Sequence, residues 1–418
     1  VVYRVPYKKN YKEKISSGEH FHNVLCLSEA KGMDIIMNIG LISVNDKPTT
    51  KMACGGTEVF VSDLAEELVK RGHKVTIFAG GNSYVKGCRI VNSTSHSLAD
   101  IQKLAYDDYH AELSTSERAN IGQILAVRNI LTAKQYENEI DVFHDNSGSS
   151  IIASMLDLFH KPVVSTLHMP ISLDYQLPCI NRYLSHSNVH YIAISDYQMK
   201  NFPIAEQRIY NGTEIVSDNA VSQQHRDLIW VGRIDPDTPK GLEDAIQVSK
   251  ITGYGLKYVG FIENEAYFRN TIMTVLHDNV IRKKQFQTRR EKDMFYQEAK
   301  VSLIPVKCEE SFGLTYIESM AAGTPVITYA RGAAPEIIKD GKTGFLINSS
   351  EDDIRGNYLI KQCGVAGLIE AVNLIYSLSD KEYEAMRCAC KKHISENFSL
   401  RIMVDKYEKL YHILHQSL

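Results

Sequence analysis

Two carboxylates stand eight positions apart in the stretch CEESFGLTYIESMAAGTPVI, residues 308–327, with a glycine between them. The preceding VSLIPV (301–306) has the continuous apolar character of a buried strand, and FGLTYIESMAAG reads as a helix closed by Gly323. The spacing predicts Glu310 in a turn above a sheet and Glu318 about two turns into the following helix. Between them, the backbone N–H groups of Phe312, Gly313, Leu314 and Thr315 open that helix and suit an anion, and Gly313 lets a ligand approach the backbone. An ionised carboxylate accepts only, so each glutamate fits a pair of hydroxyls. A sugar nucleotide carries two hydroxyl sets flanking a diphosphate, which matches one glutamate on the sugar, one on the ribose and phosphate between. The acid and base of a glycosidase instead face one bond about 5–10 Å apart in a single pocket. A turn residue and a helix residue beside an anion site fit that arrangement less well.

Further stretches offer compatible groups. In CGGTEVFVSDLAEELVKRG, Gly55 and Gly56 stand at the start of a helix whose buried side carries Phe60, Leu64 and Leu68 and which ends before Gly72. Bare amides and the helix dipole there favour a phosphate, although a plain tight turn reads the same way. STLHMP places His168 at the C-terminal end of a strand, the edge at which open α/β sheets bind ligands. FHDNSG brings His144, Asp145 and Asn146 to another strand end, where they either bind an acceptor hydroxyl or cap the next helix. WVGRIDPDTPKGLEDAI sets Arg233 at a strand end and Lys240 just before a helix, two cations suited to a diphosphate or to an ordinary surface pair.

The elements that must hold these groups alternate strand with helix. Continuous apolar runs at 37–44, 75–78, 141–146, 162–168 and 191–195 read as one parallel sheet covered on both faces, and those at 228–233, 256–262, 301–306 and 325–329 as a second. The expected fold is α/β with two doubly wound units and a cleft between them. The expected divisions are an N-terminal extension over 1–36, a first domain over 37–215, a second over 216–397 opening with the polar linker SDNAVSQQHRD, and a helix over 398–418. That helix puts Leu400, Met403, Tyr407, Leu410, Tyr411 and Leu414 on one face that needs a surface to cover. Met37 opens the first strong strand and stands as a candidate start of the chain's core.

With 418 residues, 44% of them hydrophobic, the chain can fill two or three cores. A net charge of −3 gives no basic field for nucleic acid. The eight cysteines show neither zinc-site spacing nor disulfide density, which fits a reducing cytoplasm, and no apolar run reaches the length of a membrane span. The chain reads as soluble, with no metal site.

Taken together, Glu310 through Glu318 with MAAGTPVI, the later GAAPEIIKDGKTGFLI, GGTE at 55–58, His168 and YNGTEI at 210–215 resemble the retaining glycosyltransferases of family 4, which have the GT-B fold. The resemblance runs from Met37 over nearly the whole chain. It implies a metal-independent transferase without a cofactor, using a UDP- or GDP-hexose type of donor held mainly by the second domain. Arg233 and Lys240 would neutralise the leaving diphosphate, Glu310 would hold the donor sugar and Glu318 the ribose. His168 would lie near the reacting carbon, and Gly56 would meet the phosphate across the closed cleft. The last helix would cross back onto the first domain. The acceptor is a glycan, small molecule or lipid, with peripheral membrane contact and oligomeric state left open. A sugar-nucleotide epimerase, a phosphorylase and a non-catalytic sugar-nucleotide binder remain as alternatives. The stretch over 80–140, on the side that normally selects the acceptor, matches no interpretable motif, and the loop after Val44 is expected to order on ligand binding.

Overall fold

The computed structural model describes residues 35–53, 55–109, 113–170, 188–217 and 227–417, together with Gln176 and Cys179. The chain from Met37 onward forms one compact unit. Residues 1–34 of the expected extension over 1–36, and most of the expected linker, 218–226, lie outside the described residues.

Apolar β-branched runs supply two sheets. The first contains β1 (Asn38–Ile42), β2 (Lys74–Gly80), β3 (Arg89–Thr94), β4 (Val142–Asp145), β5 (Val163–Leu167), β6 (Val189–Ala193) and the short β7 (Gln207–Arg208), in the order β3-β2-β1-β4-β5-β6-β7. The second contains β8 (Leu228–Ile234), β9 (Leu256–Ile262), β10 (Val280–Arg282), β11 (Val301–Leu303), β12 (Val326–Tyr329) and β13 (Gly344–Ile347), in the order β10-β9-β8-β11-β12-β13. All pairings between these strands are parallel. Helices cover both faces: α1 (Gly56–Lys70), α2 (Leu98–Tyr109), α3 (Thr115–Gln135) and α4 (Asp196–Asn201) with the first sheet, and α5 (Leu242–Thr252), α6 (Arg289–Gln297), α7 (Leu314–Ala321), α8 (Gly364–Ser377) and α9 (Asp380–Asn397) with the second. Because both faces are covered, the strand interiors are buried throughout: Ile39, Leu41, Ile77 and Phe78 in one core, and Trp230, Leu303, Val326 and Ile327 in the other. The strand order reverses between β1 and β4 and again between β8 and β11. At such a point the flanking crossovers lie on opposite faces and leave a crevice at the C-terminal strand ends.

The last helix, α10 (Leu400–Gln416), buries the predicted stripe of Leu400, Met403, Tyr407, Leu410, Tyr411 and Leu414 against α1 and β4 of the first sheet. Three side-chain hydrogen bonds link polar groups within this contact. Tyr411 and His144 Nδ1 lie 2.6 Å apart, His144 Nε2 and the Thr166 hydroxyl 2.7 Å, and Thr166 and the Tyr407 hydroxyl 2.9 Å. At its rim, Glu408 takes Arg71 at 2.6 Å and His73 Nε2 at 2.8 Å. The chain thus passes between the two sheets twice at one place, where Thr213 N bonds Phe398 O at 2.9 Å and Leu400 N bonds Thr213 O at 2.9 Å.

His144, Asp145 and Asn146 follow neither expected reading. His144 is consumed by Tyr411 and Thr166, Asp145 by the hydroxyls of Ser147 and Ser165, and the Asn146 amide by the Ile42 and His144 carbonyls. The strand expected over 301–306 ends at Leu303, since Pro305 brings no N–H and Val306 N turns back to Ile304 O.

Candidate active site

β8 and β11 are neighbours, so the loops leaving their C-terminal ends meet over the crevice of the second sheet. Arg233 is the penultimate residue of β8, and the loop that follows carries Lys240. Its closing end is pinned by Trp230 Nε1 donating to Lys240 O at 3.0 Å and by Lys307 N donating to Pro239 O at 3.0 Å. The loop after β11 carries Glu310, and the Lys240 ammonium donates directly to its Oε2. Burial alone pulls the Lys240 pKa down, but Glu310 and Cys308 beside it outweigh that and the net movement is upward. Arg233 lies close enough for its charge to oppose that of Lys240. Its side chain is 42% exposed and bonds the Thr238 hydroxyl at 2.8 Å, so the two cations and Glu310 occupy one loop mouth.

Of the Glu309–Glu310 doublet, the structure turns Glu309 the other way. It takes Arg355 at 2.7 Å, Arg331 at 3.1 Å and Gly332 N at 2.8 Å. This network fastens the 331–333 turn under Glu310, whose own carbonyl accepts from Ala333 N at 2.8 Å. Gly332 has φ +55°, and a Cβ there would come within 2.1 Å of Glu310 O. Gly313, at φ +99°, is the N-cap residue of α7, and Leu314 and Thr315 provide first-turn N–H groups. Phe312 is core, packed near Tyr210 and Phe398. Glu318 is the fifth residue of α7, about one turn in rather than two, because the left-handed Gly313 delays the helix start to Leu314. Its carboxylate takes Lys292 Nζ at 2.8 Å on Oε1 and the Tyr296 hydroxyl at 3.4 Å on Oε2, both from α6.

The start of α1 faces the start of α7, and a Cβ on Gly56 would meet Leu314 Cδ1 at 3.1 Å. A Cβ on Gly55 would fall 1.9 Å from Glu58 Oε2, so the absent side chain leaves room for the Glu58 carboxyl to fold over the helix start. Glu58 is 3% exposed, and that burial pushes its pKa up to about 7. His168 follows β5 and packs against Phe60, the ring centroids 4.5 Å apart and the planes inclined at 59°. Asn146 has its NH2 on two carbonyls, so its Oδ1 must accept from His168 Nε2–H at 2.9 Å. Burial holds the ring neutral, its pKa down at about 3, which leaves Nδ1 as an acceptor. Other contacts tie the two halves: Arg118 pairs with Glu263, Lys47 sits 4.2 Å over the Phe261 ring, and Glu336 accepts from the first two amides of α4 at 2.7 and 2.9 Å.

Among the described residues, His73, Glu408 and His412 lie close enough to share a cation. The ring of His73 is committed otherwise: Nδ1 accepts from Met37 N at 3.2 Å, so Nε2 carries the proton it donates to Glu408 and is no ligand. Sequence reasoning missed Lys292, Tyr296, Glu58 and the Glu309 network. Only the recurrence of 289, 292 and 296 on one helical face hinted at the first two.

Two family models match the chain: Glycosyltransferase Family 4 over residues 54–209, and Glycosyl transferases group 1 over residues 213–362. A 42.6 kDa protein of the cps region of Klebsiella pneumoniae is 25% identical over 72% of this chain and 87% of its own length, while a 41.2 kDa protein of that region is matched over 48% of its length. D-inositol 3-phosphate glycosyltransferase of Corynebacterium diphtheriae is 22% identical, over 84% of this chain and 94% of that one. Among solved structures, sucrose-phosphate synthase of Thermosynechococcus elongatus superposes with a TM-score of 0.70 at 19% identity, covering 91% of this chain and all of that one. Anabaena HepE in complex with UDP-glucose gives a TM-score of 0.64 at 17% identity, covering 90% and 99%. The two parallel-sheet α/β domains of this chain match these structures in fold, and the chain belongs to the group 1, family 4 glycosyltransferases of the GT-B type.

Proposed function

We propose that the chain is a retaining transferase that moves a hexose from a nucleotide-diphosphate sugar of the UDP or GDP type to a hydroxyl of a glycan, small-molecule or lipid acceptor. The observation that carries this reading is the meeting of Arg233, Lys240 and Glu310 at the switch point of the second sheet, one turn from Glu318. The solved structure of HepE with UDP-glucose, a protein of like fold, supports the donor class.

In this reading Arg233 and Lys240 bind the diphosphate, and the first-turn amides of α7 add dipole stabilisation. The bond from the anomeric carbon to the diphosphate breaks with its electron pair leaving on the phosphate oxygen, the charge these cations meet. The acceptor oxygen bonds the same carbon from the same face and loses its proton to that oxygen. Glu310 accepts from sugar hydroxyls, and His168 Nδ1, a fixed acceptor, takes another. Gly55 and Gly56 leave the start of α1 open to the phosphate, and Glu318 takes the ribose. No metal or cofactor is assigned a step, and a cytoplasmic setting fits this donor.

The test is release of free nucleotide diphosphate from UDP- and GDP-hexoses with candidate acceptors, with the anomeric configuration of the product read by NMR. Acceptor-dependent release with retained configuration is expected. Release without transfer, or an inverted product, would overturn the reading.

A further inference from the structure

The partners of Glu318 assign a role to a residue that the donor-site reading leaves unused. We propose that Lys292 is a positioning residue that fixes the Glu318 carboxylate for the vicinal hydroxyls of the nucleotide ribose, and so sets the preference for a ribonucleotide donor. This rests on the nucleotide-sugar reading above.

Lys292 is 9% exposed on α6, an unusual place for an ammonium unless it is paired, and Glu318 is the residue it bonds, at 2.8 Å. The turn that carries it is rigid. Thr288 accepts from Glu291 N at 3.2 Å while Glu291 reaches back to Thr288 N at 3.3 Å, a closed capping box on the first turn of α6. One turn later on the same face, Tyr296 is 1% exposed and sets its hydroxyl against the other Glu318 oxygen at 3.4 Å. Arg289, one turn earlier, is directed elsewhere, to Asp293 at 2.8 Å and to Thr213 at 3.4 Å.

The chemistry follows from counting lone pairs. A carboxylate has about four acceptor positions, and here Lys292 occupies one and Tyr296 weakly another. The remaining positions lie on both oxygens, which suits two adjacent hydroxyls. Glutamate has three rotatable side-chain bonds, and the two contacts from α6 remove that freedom in advance of binding. The opposite wall carries Asp63 of α1, 5% exposed with Oδ1 lacking a hydrogen-bond partner among the described residues, within range of the Lys292 and Arg289 charges. Lys292 thus also keeps cationic charge between two carboxylates.

Calorimetric binding of uridine and guanosine diphosphates and of their 2′,3′-dideoxy forms would be compared for wild type, Lys292→Met, Lys292→Gln and Glu318→Gln. A hydroxyl bonded to a carboxylate is worth roughly ten- to a hundredfold in affinity. Wild type should prefer one ribonucleotide over its dideoxy form by at least about tenfold, and all three variants should bring the ratio to within about threefold. Affinity for inorganic pyrophosphate should stay unchanged, which a merely structural loss would not allow. Lys292→Gln serves should Lys292→Met fail to fold. If both Lys292 variants keep the wild-type ratio while Glu318→Gln loses it, the positioning role is overturned and the nucleotide reading stands. If wild type binds no nucleotide diphosphate, the nucleotide reading itself falls, and this proposal with it.

Discussion

Replacing Glu58 by glutamine removes a carboxyl that the fold holds away from water at the start of α1. Burial raises its pKa from 4.5 to about 7, with the Asp46 charge adding to this and N–H groups of Glu58 and Lys47 opposing it. In the window from pH 4.5 to about 7 the folded chain keeps a proton that the unfolded chain has released. Stability therefore falls as pH rises through that window, and the loss is complete above it. The interval from 4.5 to about 7, at ~1.4 kcal/mol per pH unit, amounts to roughly 3 kcal/mol. Glutamine keeps the shape and the acceptor carbonyl but cannot ionise. Urea unfolding of both proteins at pH 5, 6, 7 and 8 should show the difference moving in favour of Glu58→Gln by about 2–3 kcal/mol across the range. Asp63, pushed up to about 6 by its own burial, titrates in the same window but is common to both proteins and cancels. A difference that stays constant from pH 5 to 8 would show that Glu58 is solvated and that the start of α1 is open to water.

Gly332→Ala would set a methyl 2.1 Å from Glu310 O where about 3.4 Å is ordinary contact, displacing the Glu310 turn by about 1 Å; turnover should fall about a hundredfold with the circular dichroism unchanged. Lys240→Met leaves the Glu310 carboxylate without its cation, and kcat/KM for the nucleotide sugar should drop by about two orders of magnitude or more. Tyr411→Phe strands a polar partner beside the fully buried His144, at a cost of about 1–3 kcal/mol in chemical unfolding. Glu408→Gln weakens the partly exposed contacts to Arg71 and His73, and thermal unfolding should show a loss of only about 1 kcal/mol that shrinks in high salt.

The central strands were legible because a parallel strand covered on both faces is a nearly continuous apolar run, as in LIWVGRI and LKYVGFI, each interrupted by a single charged residue. The edges were not. RIVNST of β3 has one flank without a neighbouring strand and carries polar residues, and β7 and β10 run for two and three residues. The stripe on α10 gave both the helix and its buried face, since one amphipathic face admits one docking side. Motif spacing located Glu310 and Glu318 but not what aims them. Lys292 lies 26 positions from Glu318, and the two meet only after α6 has packed beside α7. His144 misled for a related reason. A polar residue at a strand end suggests ligand, yet here the terminal helix, from the far end of the chain, arrives to use it.

The two helix starts that face each other explain why glycines recur at this cleft. α1 and α7 are both preceded by glycine N-caps that offer no side-chain cap, and their first turns approach where Gly56 meets Leu314. Two helix N-termini brought together place two partial positive charges side by side, an arrangement that disfavours closure by itself. Glu58, held largely protonated up to about pH 7, brings little negative charge to α1, and α7 has no acidic residue in its first turn. A diphosphate between them would be stabilised by both ends only when the cleft is shut, and opening would surrender one. On the proposed function, the donor's own charge then supplies the free energy of closure. Water is excluded from the anomeric carbon when a donor is present to need it, and nucleotide affinity and closure should weaken together with rising salt.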